Sequence, residues 1–176
     1  IFSAQASPGD EVQRYSVSWD VPYVFNTKYT FGVTGLYGDH SFDDWFESRY
    51  GGELRLGRQW TPRFSTTANF GLYNVNIKEP SVSFVPDLTS ALGKHDMYTL
   101  GLTATYDTRN HPFTPSAGYL LKGTIEQVLG SYQFPRASID ARYYKTLRKR
   151  FDGSGRWVLG LYSRAGWTGD DTPIYE

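Results

Sequence analysis

Apolar and polar residues alternate with a period of two along most of the chain. From Tyr98 to Tyr106 every second residue is apolar or aromatic (Tyr98, Leu100, Leu102, Ala104, Tyr106), and Thr99, Gly101, Thr103, Thr105 and Asp107 fill the alternate positions. The same period runs through Trp157, Leu159, Leu161, Ser163, Ala165 and Trp167. Successive side chains of a β-strand point to opposite faces, so each run predicts a strand with one apolar face. Eight such runs fall near 11–21, 28–38, 47–60, 63–77, 96–108, 117–129, 134–148 and 155–168, separated by segments rich in turn formers. No long window carries the i, i+3, i+4, i+7 spacing of an amphipathic helix, so the expected fold class is all-β and antiparallel. One run is ambiguous: Ala68, Phe70 and Leu72 share a face, but Tyr73, Val75 and Ile77 share the other. A β-bulge near Leu72 is the expected reconciliation.

The distribution of aromatics along the apolar face separates a membrane barrel from a soluble one. Tyr98 and Tyr106 bracket an aliphatic middle in one run, and Trp157 and Trp167 do so in another. Eight residues span about 26 Å and ten about 33 Å along a strand. A strand tilt of about 40° reduces these to about 20–25 Å, the height of the apolar band between the two aromatic girdles of a transmembrane barrel. Tyr and Trp suit such interfaces because one end of each ring system is apolar and the other keeps a hydrogen bond to water. The opposite face carries Glu53, Arg55, Lys122, Glu126, Asp140, Arg142 and Arg164, the set expected to line a polar lumen. A soluble barrel with these charges outward and the apolar face as its core is the competing reading. The connections partly follow the pattern of short turns at one end and long loops at the other: 22–27 and 59–63 are short, 39–45 and 78–94 long and polar, but 106–118 and 129–134 break the rule.

Composition changes the picture only modestly. Aromatics make up 17% of the 176 residues, 14 of them Tyr, against a single Met. Eighteen basic and eighteen acidic residues cancel, which gives no sign of a nucleic-acid surface. The mean hydropathy is −0.49 and no stretch approaches the roughly 20 apolar residues of a transmembrane helix, a test that a barrel escapes because its alternation keeps the average low. The absence of cysteine rules out disulfides and thiolate metal sites within the chain. No leader peptide is visible at Ile1.

Candidate chemistry is thin. His40, His95 and His111 lie in or beside turns with no paired ligand spacing. Asp39, Asp43, Asp44 and Glu47 form an acidic loop without the ordered spacing of a calcium loop. No G-x-S-x-G elbow occurs, and Gly51-Gly52 and Gly153-Ser154-Gly155 read as turns. Lys145, Arg148, Lys149 and Arg150 cluster near a turn, where anionic headgroups, a periplasmic partner or plain water could face them. No catalytic, cofactor or metal residue is nominated, and no enzymatic activity is expected.

The stretch Tyr106-Asp107-Thr108-Arg109-Asn110-His111-Pro112-Phe113-Thr114-Pro115-Ser116-Ala117-Gly118 ends one run, reverses, and starts the next. It resembles the Y-D-T-R-(D/N)-x-x-x-x-P-(S/T)-x-G segment of the bacterial surface antigen superfamily, which includes the BamA-type outer-membrane assembly factors and the two-partner secretion transporters. Asn110 stands where an acidic residue is frequent. The stretches 15–23, 52–58 and 167–176 agree with the family in order. The resemblance implies that residues 1–176 are about strands four to eleven of a sixteen-stranded barrel integral to the bacterial outer membrane. The POTRA domains, the closing strands and the sixth-loop Arg-Gly-Phe motif would then lie outside the chain. It further implies a barrel insertase working without a cofactor, whose partners are the lipid bilayer, client outer-membrane proteins and periplasmic lipoproteins or chaperones. A secretion transporter, a complete eight-stranded adhesin or anchor barrel, and an outer-membrane hydrolase are the alternatives, in that order. In the matched turn, Asp107 and Arg109 are expected to pair with each other or with a neighbouring strand. Pro115 with Pro112 would stiffen the reversal, and Gly118 would supply an unusual backbone angle. Their expected role is to anchor the barrel.

Overall fold

The computed structural model of the protein describes residues 1–41, 46–78, 93–149, 151, 155–170 and 172. They form nine strands: β1 (Phe2–Ser7), β2 (Val12–Val21), β3 (Tyr29–Ser41), β4 (Phe46–Thr61), β5 (Phe64–Lys78), β6 (Gly93–Asp107), β7 (Gly118–Gly130), β8 (Phe134–Lys149) and β9 (Arg156–Thr168). A single 3-10 turn, Val24–Asn26, joins β2 to β3. The strands make one antiparallel sheet in sequence order, an up-and-down meander. The eight expected runs are β2–β9, with ends displaced by a few residues, and β1 is additional. Its three outward residues, Phe2, Ala4 and Ala6, give too short an alternation to stand out in the sequence. β1 and β9 are the two edges of the sheet and do not pair with each other, so these strands do not close into a small barrel.

Cross-strand register carries the two faces unbroken from strand to strand. On one face Trp19 lies opposite Val33, Val33 opposite Leu54, and Leu54 opposite Phe70; Phe70 then meets Leu100. On the other, Thr67 lies opposite Thr103, and Thr103 opposite Thr124. The apolar face is the exposed one. Leu100 is 60% exposed and Ile125 61%, whereas Thr99 and Thr103 on the opposite face are at 6% and 8%. The sheet therefore curls with its polar face inward. A Leu or Ile left in water forgoes about 1.5–3 kcal/mol of burial energy. Repeated at every outward apolar position of nine strands, that loss would exceed the roughly 5–15 kcal/mol by which folded domains are stable. Such a face belongs in hydrocarbon, and the soluble-barrel reading fails on its orientation.

The expected bulge at Leu72 is absent. β5 pairs without interruption from Phe64 opposite Tyr106 to Ile77 opposite Gly93. Ala68, Phe70 and Leu72 face outward, and Tyr73, Val75 and Ile77 face inward. The inward apolar residues are explained by packing: Val75 and Ile77 are fully buried with Met97, Val128 and Phe134, and Tyr132 closes against them. This inner cluster sits at the end of the sheet that carries the 79–92 and 131–133 connections. The irregularities that do occur, between Gln59 and Thr61 and between Thr146 and Arg148, lie at the other end. Bulges commonly re-aim strands at a barrel rim.

The assignment of faces is checked by single-cysteine labelling of the full-length barrel in lipid vesicles, since this chain adds no cysteine of its own. Cysteine at Leu100, Ile139 or Leu159 resists a membrane-impermeant maleimide, and cysteine at Lys122 or Arg142 reacts. Rapid labelling at Leu100 and Ile139 would reverse the faces.

Candidate functional site

The inner face is a wall of charged side chains laid over glycines. Asp20, Gly32, Arg55, Asn69, Gly101, Glu126 and Arg136 form one continuous row across seven strands, each opposite the next. Arg55 reaches across Gly32 to donate from Nη2 to Asp20 Oδ1 at 2.8 Å, and from Nη1 to Thr34 Oγ1 at 2.8 Å. Glu53 Oε1 lies 3.7 Å from Arg55 Nη1. A Cβ on Gly32 would sit 3.0 Å from Arg55 Nη2 and 3.1 Å from Nε, so the glycine leaves the space in which the guanidinium lies flat. Gly101 does the same for Glu126, whose Cγ and Oε2 would be 3.3 Å from an added Cβ. Glu126 in turn forms an ion pair with Arg136. Asp140 and Arg142 pair through two bonds of 2.9 and 3.0 Å, and Arg142 packs 5.2 Å from the Tyr162 ring. Lys122 and Arg164 lie in register on either side of Asp140. All seven charged residues singled out in the sequence share this inner face. The glycine slots, and Asp20 as the partner of Arg55, are features of this face that strand alternation did not reveal; the pairing register places them together.

The outward face ends in aromatics. Tyr15, Tyr37 and Tyr50 follow one another in register at one end, with Tyr15 and Tyr37 ring centroids 6.3 Å apart. Tyr98 and Trp167 face outward at the same end. At the other end, Tyr106 lies opposite Phe64 and its ring is 5.7 Å from Tyr119, which lies opposite Tyr143. Trp157 is the second residue of β9 at this end, and Trp60 and Tyr29 flank Arg58.

The turn 108–117 is pinned at every level. Asp107 accepts from Arg109 Nε at 3.0 Å, Nη2 at 2.8 Å and the Arg109 backbone N–H at 3.0 Å. Arg109 Nη1 also donates to the Pro112 carbonyl at 3.2 Å. The hydrogen bonds to Asp107 hold the Arg109 guanidinium above its ordinary pKa. Of the two expected pairings, Asp107 and Arg109 therefore choose each other. Asn110 Oδ1 accepts from the backbone N–H groups of Ser116 at 2.9 Å and Ala117 at 3.1 Å, and its Nδ2 donates to Ser116 Oγ at 2.8 Å. A carboxylate at this position could accept the same two N–H bonds. Pro115 leads into the buried Ser116, whose carbonyl accepts from Thr146 Oγ1 at 2.9 Å. Gly118 has φ +97°, and a Cβ there would run into the Thr108 carbonyl.

Among the described residues no group of three or more His, Asp or Glu side chains is arranged to hold a metal ion. Asp43 and Asp44 of the acidic loop, Gly153 and Ser154, Arg150, and most of 171–176 lie outside the described residues.

Gly118→Ala should lower the stability of the full barrel by about 1–3 kcal/mol, because it combines a left-handed backbone with a backbone clash. Gly123→Ala, where an added Cβ meets nothing within 4 Å, should be neutral or slightly stabilising. Urea unfolding in vesicles measures both; equal midpoints for the two variants would show that the turn is not a constraint.

Comparison with known proteins agrees with this geometry. No curated protein sequence matches the chain. The crystal structure of BamA from Haemophilus ducreyi lacking POTRA domains 1–3 superposes with a TM-score of 0.81 at 14% identity, covering 99% of this chain and 37% of that one. At that identity the likeness speaks to the fold, and the chain spans little more than a third of the relative's length. The model of the Omp85 superfamily domain matches residues 1–176 from end to end, and the chain belongs to that superfamily.

Proposed function

We propose that this chain forms part of the wall of an outer-membrane barrel that folds other barrel proteins into the membrane. The observation that carries this reading is the near-complete superposition on BamA by a chain that belongs wholly to the Omp85 superfamily. The wall itself supports a mechanical rather than a chemical role. Several of its charged side chains pair with one another, as in Asp20–Arg55, Glu126–Arg136 and Asp140–Arg142. No nucleophile–base pair is built from them. On this reading the barrel works without cofactor or covalent chemistry. The lipid bilayer and client outer-membrane proteins are its partners, with periplasmic lipoproteins or chaperones as accessories.

A secretion transporter is the second reading, favoured by the polar lining that β4 to β9 would present to a passing chain. One experiment separates the two. The full-length protein is reconstituted in vesicles, and an unfolded eight-stranded barrel protein is added outside. An insertase raises the rate at which the client acquires heat-modifiable mobility, by about tenfold or more over empty vesicles. No acceleration, together with passage of a polar polypeptide into the vesicle lumen, would replace the insertase reading with the transporter.

A further inference from the structure

The two ends of the sheet differ in charge. At the end carrying the connections 22–28, 62–63, 108–117 and 150–155, exposed cations fall in two clusters. Lys28, Arg58 and Arg63 lie on the adjoining ends of β3, β4 and β5, tied together by the Gln59 N–H bonding the Lys28 carbonyl at 2.9 Å. Lys145, Arg148, Lys149 and Arg156 lie on the paired ends of β8 and β9, with Lys149 opposite Arg156. The described carboxylates at this end, Asp20 and Asp107, are taken by Arg55 and Arg109 at 2.8 Å each. None of the seven cations forms an ion pair with a described residue. The opposite end is mixed: Asp10, Glu11, Asp39, Glu47, Asp96 and Asp170 are set against Arg14, Arg49, Lys78 and Lys94.

The direction of these side chains matters as much as their number. Arg58 belongs to the outward face, alternating with Leu54, Leu56 and Trp60. Its Cζ lies 4.0 Å from the centre of the Trp60 ring and 5.1 Å from that of Tyr29, so the guanidinium is held among the girdle aromatics. Lys145 continues the outward row of Ile139, Ala141 and Tyr143 and lies opposite Leu159. A cation facing sideways at the edge of the hydrocarbon turns its stem along the apolar surface and its head to the nearest anion or water. These two positions face the surrounding bilayer rather than the aqueous turns. In a bilayer whose headgroups meet the girdle aromatics, lipid phosphates would be the anions at that depth.

We propose that this rim binds the phosphate groups of anionic phospholipids in the leaflet at its end. Arg58, Lys145 and Arg148, the last opposite the outward-facing Trp157, hold them from the membrane side, and Arg63 from the 62–63 turn. The inference rests on the membrane-barrel reading, and its test keeps the two apart. The full-length protein is reconstituted in phosphatidylcholine vesicles containing trace spin-labelled phosphatidylcholine or phosphatidylglycerol, and the motionally restricted fraction of each is measured by electron spin resonance. The wild type selects phosphatidylglycerol over phosphatidylcholine by about three- to tenfold at low salt. Arg58→Gln with Arg63→Gln, and separately Lys145→Gln with Arg148→Gln, each lower that preference by about twofold or more. Lys78→Gln with Lys94→Gln, at the other end, leaves it unchanged. Restricted lipid with no preference for phosphatidylglycerol, or a preference insensitive to both rim variants, overturns the phosphate site and leaves the rim to an acidic protein partner. No restricted lipid of either kind overturns the membrane reading itself.

Discussion

In hydrocarbon no water is available for an unpaired backbone N–H or C=O, and each one left bare costs several kcal/mol. A wall of strands meets that demand by pairing every strand with its neighbour in continuous register, and the rest of this structure follows from keeping the register intact. β5 shows the constraint most directly. Its sequence places apolar residues on both faces, and a bulge would have gathered them onto one. The strand instead holds its pairing with β4 and β6 through all of that stretch and turns Tyr73, Val75 and Ile77 inward. The two irregularities among the described strands fall at a rim, where a displaced hydrogen bond can be recovered from water.

Once register is fixed, a lumen wall has a volume problem. Long charged residues at every second position of neighbouring strands would collide or crowd the interior. Here glycines alternate with them across the sheet, so Arg55 lies over Gly32 and Glu126 over Gly101. Tyr73 follows the same logic, its ring covering Gly51 and Gly71 while its hydroxyl lies 3.4 Å from Glu53. Exposed ion pairs add little stability individually, typically under about 1 kcal/mol. Their value here is geometric: paired and flattened, the charges stay satisfied without extending across the lumen.

Much of the fold was legible because the physical signal is local. Tyr98 to Tyr106 and Trp157 to Trp167 each carry face, length and boundary within one strand. The turn from Asp107 to Gly118 is similarly self-contained, with its partners drawn mostly from the same dozen residues, so residue types alone suggested its geometry. What the sequence hid is what depends on a neighbouring strand. β1 shows too few alternations to declare itself without β2. The direction of Val75 and Ile77 is set by Met97, Val128 and Phe134 on three other strands. Arg55 finds Asp20 two strands away, and Glu126 finds Arg136. Strand alternation gives the face of a residue but not its partner.

The two ends of the wall are built differently, and the difference bears on which can move. At one end Asn110, Arg109 and Thr108 tie the 108–117 turn to itself and to β7, and Thr146 ties it to β8. Bonds of this kind are directional, and they fix strand spacing at that rim. At the other end Asp96 bonds Asn74 and Ser131, but the inner face is filled by apolar burial among Val75, Ile77, Met97, Val128 and Phe134. Apolar contacts tolerate sliding that a forked ion pair does not, because they have no preferred angle. The rim at the 108–117 turn is therefore fixed by angle as well as distance, and the opposite rim largely by contact alone.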